Sequence, residues 1–145
     1  MIRAVLDSNT IISALLIRNS LPWRILAAAY AATFLCFSRD VIVGVVFRAL
    51  NSARVRRKYP IDPVEVERLR GFPESRPVLV PITVSVQGVA SHPEDDLILA
   101  TAVSAQADYL VTGDGQLLAL GWYQGVRIVT LRDFATILGL PTSVQ

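Results

Sequence analysis

Asp7, Asp96 and Asp114 are the residues whose type and setting could do chemistry. Asp7 follows the apolar run Ile2 to Leu6 directly. Asp96 closes Glu94-Asp95-Asp96 at the head of a helical segment, and Asp114 stands just after Tyr109-Leu110-Val111-Thr112. Each alone reads as a helix cap or a turn, where Asp is favoured. Together they say more. If the runs before Asp7 and Asp114 are neighbouring parallel strands, both acids sit at carboxyl ends, the edge where such sheets bind ligands. Two carboxylates about 4 Å apart repel by roughly 4 kcal/mol at an effective dielectric near 20. A divalent cation relieves that repulsion. Oxygen ligands alone suit Mg²⁺ or Mn²⁺ rather than zinc. Such an ion activates water and offsets charge in a phosphodiester transition state.

Composition narrows the alternatives. Of 145 residues, 52% are hydrophobic and 18% charged, so the chain is rich in core and short of charge. That excludes a disordered chain. The single cysteine, Cys36, excludes a disulfide scaffold and a cysteine zinc site. The single histidine, His92, excludes a histidine-rich metal site. No Ser-His-Asp set, Cys-His pair or Gly-rich phosphate loop is present. A net charge of +2 gives no strong general drive toward nucleic acid. The length fits one domain spanning 1–145. The longest apolar stretch, Ile25 to Phe37, is shorter than the roughly 20 residues of a spanning helix. No membrane association is expected. The start has no secretory pattern, and a cytoplasmic setting is expected.

The elements that must position the acids alternate. Ile2–Leu6 reads as a buried strand, Thr10–Leu16 as helical, and Trp23–Ala32 as a helix begun by Leu21-Pro22. Phe34–Phe37 reads as a second strand, with Ser38 capping a helix to Leu50. Residues 51–59 are polar and basic. Asp62-Pro63-Val64-Glu65 opens a helix that Gly71-Phe72-Pro73 stops. Val78–Ile82 reads as a third strand, Leu97–Ala105 as a helix and Tyr109–Thr112 as a fourth strand. Gly113-Asp114-Gly115 reads as a turn, Val126–Val129 as a fifth strand and Leu131–Leu138 as a last helix. Strands alternating with helices imply an α/β fold with a parallel sheet covered on both faces.

Three segments in this order resemble the PIN domain, the fold of many metal-dependent ribonucleases, VapC-type toxins among them. They are Val5-Leu6-Asp7-Ser8-Asn9, Asp95-Asp96-Leu97-Ile98-Leu99-Ala100-Thr101-Ala102, and Ala107 to Asp114 followed by Gln116-Leu117-Leu118. Residues 125–134 also resemble a PIN-domain end. The resemblance covers roughly residues 2–138. It implies a three-layer α/β/α sandwich around a central parallel sheet of about five strands. It implies that Asp7, Asp96 and Asp114 hold Mg²⁺ or Mn²⁺ for RNA cleavage, supported by Ser8, Asn9, Asp95 and Thr112. It also implies an antitoxin partner and a homodimer.

Two positions depart from the family pattern. A Glu is usual about six residues past a Ser like Ser38, and Gly44 stands there instead. Asp40 lies one turn earlier on the same helix face, a weak substitute. His92 stands where relatives often have an acid, and reads as a loop histidine. These departures keep a second reading open, a degenerate domain that binds RNA or protein without cutting. A flavodoxin-like small-molecule binder ranks last, for want of a cofactor fingerprint. The basic cluster Arg54, Arg56, Arg57 and Lys58 reads as a solvated helix end or as a phosphate-contacting lip. Trp23, Trp122 and Tyr123 read as packing or as base-stacking groups. Cys36 reads as a small buried hydrophobe.

Overall fold

Arg3–Leu6 forms β1, and Ala4, Val5 and Leu6 are all buried. Adjacent strand residues point to opposite faces, so both faces of β1 must be covered. The structure is a computed structural model that describes residues 1–38, 40–75, 86 and 93–141; of 40, 41, 71–75 and 94 it describes the backbone alone. The expected strand Val78–Ile82 and His92 lie outside the described residues.

After β1 come α1 (Ser8–Leu16) and α2 (Leu21–Tyr30), then β2 (Leu35–Phe37). Next are α3 (Asp40–Leu50), α4 (Ala53–Lys58), α5 (Pro63–Ser75) and α6 (Pro93–Ser104). The chain ends with β3 (Tyr109–Val111), α7 (Gly115–Leu120), β4 (Trp122–Tyr123), β5 (Val126–Val129) and α8 (Leu131–Leu138). The five strands lie in the order β2-β1-β3-β5-β4. The first four are parallel, and β4 pairs antiparallel with β5. The sheet is therefore mixed: its four longer strands are parallel as expected, and the two-residue β4 is antiparallel.

The chain moves from β1 outward to β2, then crosses back over β1 to β3. Right-handed crossovers put the two connections on opposite faces. The packing agrees. α2 meets α1 and α8, whereas α6 lies against β1 and β3, and α7 against β5. The result is an α/β sandwich. Its core includes Phe34 set edge-on to Phe134, with ring centres 5.0 Å apart.

Several local expectations change. Residues 51–59 include α4, capped by Ser52, whose hydroxyl accepts from the Val55 amide at 3.3 Å. α5 continues through Gly71-Phe72-Pro73 to Ser75. Proline's φ is already helical, and its lost hydrogen bond falls in the last turn. α6 starts at Pro93, ahead of Leu97. Ser38 Oγ is buried and has no hydrogen-bond partner among the described residues, so it does not cap α3 there.

Candidate functional site

The reversal of direction at β1 makes a switch point between the carboxyl ends of β1 and β3. In open α/β sheets that switch point is where ligands bind. Asp7 follows β1 there and Thr112 follows β3. Their main chains continue the sheet, with the Asp7 amide on the Val111 carbonyl at 3.1 Å and the Thr112 amide on the Val129 carbonyl at 3.0 Å.

Asp7 is the N-cap of α1. Its Oδ1 accepts from the Thr10 amide at 2.8 Å, and its Oδ2 accepts from the Thr112 hydroxyl at 2.6 Å. Thr112 Oγ1 in turn accepts from the Asp114 amide at 3.0 Å. One hydroxyl thus ties Asp7 to the loop that presents Asp114. Asp114 caps α7 through Oδ2, which accepts from the Leu117 amide at 2.9 Å. The expected turn at 113–115 is therefore also a helix start. Its Oδ1 has no partner among the described residues.

Burial sharpens the contrast between the two acids. Asp7 is 5% exposed and Thr112 fully buried, whereas Asp114 is partly exposed. No cationic side chain lies within ion-pair reach of Asp7 or Asp114 among the described residues. A buried carboxylate without a counter-charge is costly. Two hydrogen bonds and the positive end of α1 offset part of that cost.

Asp96 arrives from α6. The far end of that helix is fixed at the opposite edge, because the Arg3 guanidinium donates to the Ala105 carbonyl at 2.6 Å. Twelve helical residues rise about 18 Å, enough to return the first turn to the carboxyl edge. Asp96 is 9% exposed and Asp95 half-buried, and both have polar partners.

The remaining candidates are placed as follows. Ser8 is half-buried at the start of α1, and Asn9 is exposed beside it. Asp40 begins α3. A Cβ built at Gly44 would sit 3.6 Å from Arg48 Nη1, an ordinary contact, so a larger residue is tolerated there. Arg54, Arg56, Arg57 and Lys58 are exposed along α4. Trp122 lies at the opposite edge, paired with Arg127 at the start of β5, so it does not serve this switch point. Cys36 is buried, and desolvation pushes its thiol up to about 12, an inert state.

The donor set is oxygen only, which fits Mg²⁺ or Mn²⁺. Among the described residues, no three His, Cys, Asp or Glu side chains are grouped closely enough to hold a metal ion. Mg²⁺ does not require three. It keeps several waters and is commonly held by one or two carboxylates plus substrate phosphates. Asp7 and Asp114, joined through Thr112, meet that smaller requirement in donor type.

A family model described as PIN domain matches residues 3–116, the span that holds Asp7, Asp96 and Asp114. The chain belongs to the PIN domain family. PIN domains are commonly nucleases and typically use divalent metal ions. No curated protein matches this one. The PIN match ends beside Asp114, before β4, β5 and α8. No single helix among the described residues is long and apolar enough to cross a membrane.

The cleft beside α4 was not visible in the sequence. Phe47, Asn51, Tyr59 and Arg70 line it together with Arg56. Only Arg56 stood out beforehand, because of its basic neighbours.

Proposed function

We propose that this PIN domain is a Mg²⁺- or Mn²⁺-dependent endoribonuclease. The observation that carries the reading is the chain from the Asp114 amide through Thr112 Oγ1 to Asp7 Oδ2 at the switch point. It fixes one buried acid and one open acid at the same point without a cation of the protein's own. Asp7 and Asp114 would hold the ion, with Asp96 as a third carboxylate from α6. A bound divalent ion supplies an activated water and offsets charge on the scissile phosphate. Asp7 is held in one rotamer by its two hydrogen bonds. Thr112 orients Asp7 and the Asp114 loop together. Asp114, partly exposed and with Oδ1 free of the α7 cap, would meet the phosphodiester.

The finer reading is a toxin with an antitoxin that covers the switch point, acting as a homodimer in the cytoplasm. It rests on the resemblance of residues 5–9, 95–102 and 107–118. A second reading has two points in its favour. By the resemblance, Gly44 stands where the family has an acid, and the described carboxylates form no group of three. A degenerate binding module is the alternative.

The test is cleavage of a labelled single-stranded RNA with Mn²⁺ present, with EDTA and Asp7→Asn as controls, alongside Mn²⁺ calorimetry. Cleavage that stops in both controls, with Mn²⁺ binding lost in Asp7→Asn, supports the nuclease. Absence of Mn²⁺ binding and of cleavage in the unaltered protein leaves the binding module.

A further inference from the structure

We infer that the cleft between α3, α4 and α5 is a subsite for one unpaired nucleotide of an RNA strand. The inference rests on the nuclease reading for its choice of RNA. The cleft has a volume of about 430 Å³. That falls within the range of small-ligand pockets. Its lining combines rings, two arginines and a hydrogen-bonding edge with apolar groups such as Leu50, Ile61 and Val66.

The rings are Phe47 on α3 and Tyr59 just after α4. The Arg70 guanidinium lies 4.7 Å from the Phe47 ring centre, and its Nε donates to Glu67 Oε1 at 3.2 Å. Arg70 thus lies over the Phe47 ring while pairing with Glu67 at the surface. Arg56 Nη2 donates to Asn51 Oδ1 at 2.8 Å, which orients a second guanidinium of the lining. An arginine has five donors, so most of those on Arg56 stay available. Planar guanidinium and aromatic faces are surfaces on which unpaired bases stack. Glu67 beside Arg70 offers an acceptor and a donor side by side, the pairing a base edge needs.

Charge favours the same guest. Of the exposed Arg54, Arg56, Arg57 and Lys58 on α4, Arg56 lines the cleft. It has no carboxylate within ion-pair reach among the described residues. Arg56 and Arg70 beside Phe47 and Tyr59 suit a strand that alternates phosphates with flat bases.

The placement suits a substrate path. α3 begins just after β2, at the carboxyl edge of the sheet. Phe47 lies about 10 Å further along that helix by its rise per residue. A strand seated in the cleft can run back along α3 to the Asp7–Asp114 site. The cleft would hold a nucleotide near the cleaved bond, away from the reacting atoms.

The experiment is fluorescence anisotropy of a labelled ten-nucleotide single-stranded RNA, in EDTA, over a salt series. The full chain is compared with Arg56→Ala and Tyr59→Leu, whose folding is checked by thermal melts. Arg56→Ala should weaken binding and lower the salt slope by about 0.7. Tyr59→Leu should weaken binding roughly tenfold with the slope unchanged. With Mn²⁺, both variants should raise KM and leave kcat near its starting value. Should the unaltered protein bind and cut RNA while neither variant moves affinity or KM, this inference is overturned and the nuclease reading stands. If RNA is neither bound nor cut, the nuclease reading falls and takes this inference with it. A poly-glutamate peptide that binds as tightly, and loses as much on Tyr59→Leu, would mark the cleft as a seat for an acidic protein segment and overturn the RNA subsite.

Discussion

Asp7 and Asp108 stand at opposite ends of the β1–β3 pair, and their surroundings differ in kind. Asp108 precedes β3 at the amino edge. It is exposed, and its Oδ2 accepts from the Arg3 amide at 2.9 Å. Its main chain also pairs with Arg3 and Arg127. There the carboxylate extends a ladder that would exist without it. Asp7 is buried, joined to Thr112, and has no cation nearby among the described residues. Parallel strands explain the difference. All four carboxyl ends gather at one edge, where helices begin and offer amide donors to acids. The amino edge receives helix ends, such as the end of α6 whose Ala105 carbonyl takes the Arg3 guanidinium. One edge collects negative charge that invites a cation. At the other, the backbone meets both charges, the Arg3 amide at Asp108 and the Ala105 carbonyl at the Arg3 guanidinium.

The largest way to break this contrast is Asp7→Asn. Asn keeps a cap for α1, since it caps about as well as Asp. Cleavage and Mn²⁺ binding should be lost while the fold holds, at a cost of no more than about 1–3 kcal/mol for the altered Thr112 bond. Asp7→Ala should lose activity and about 1 kcal/mol of stability as well, through the missing cap. Retained RNA cleavage in Asp7→Asn would place the reaction elsewhere.

Thr112→Val comes next. It removes the donor to Asp7 Oδ2 and the acceptor for the Asp114 amide while preserving shape. Loss of an orienting group beside a metal ligand commonly costs about 10–100-fold in affinity or activity. The buried Oδ2 left without a donor should cost about 1–3 kcal/mol. Thr112→Ser should restore most of both, measured by Mn²⁺ calorimetry and chemical denaturation. A Val variant as active as the unaltered protein would mean that the hydroxyl bridge is incidental.

Much of this was legible because β1, β3 and β5 are short β-rich runs ending at polar turn residues. Asp7 and Asp114 are legible as caps and as edge acids at once, and the structure shows that the cap role is real. The Thr112 bridge was not legible, because it depends on β1 and β3 pairing in register. α4 escaped because Val55 is its only large apolar residue, too little for a periodic stripe. α7 hid behind Gly113-Asp114-Gly115, where turn and N-cap signals coincide. β4 is two residues long and exists through pairing with β5. The cleft of Phe47, Tyr59 and Arg70 needed α3, α4 and α5 to be brought together, and no spacing in the sequence announces that.

Gly44→Glu sharpens the comparison by adding charge near the carboxyl edge. The new Cβ has room, and Arg48 lies one turn on. Replacing a helical Gly should add about 1 kcal/mol, and a Glu four residues before an Arg adds a few tenths more. Mn²⁺ should bind more tightly if position 44 faces the switch point. A stability gain with no change in Mn²⁺ affinity would show that Gly44 lies off the metal path.

The smallest effect belongs to the amino edge. Asp108→Asn keeps an oxygen for the Arg3 amide and leaves the backbone pairing intact. Surface changes of this kind usually stay within about 0.5 kcal/mol. Cleavage should therefore match the unaltered protein, and the melting temperature should barely move. The variant removes the same unit of charge as Asp7→Asn. If it cost as much activity, the loss would follow net charge rather than position, and the distinction between the two edges would fail.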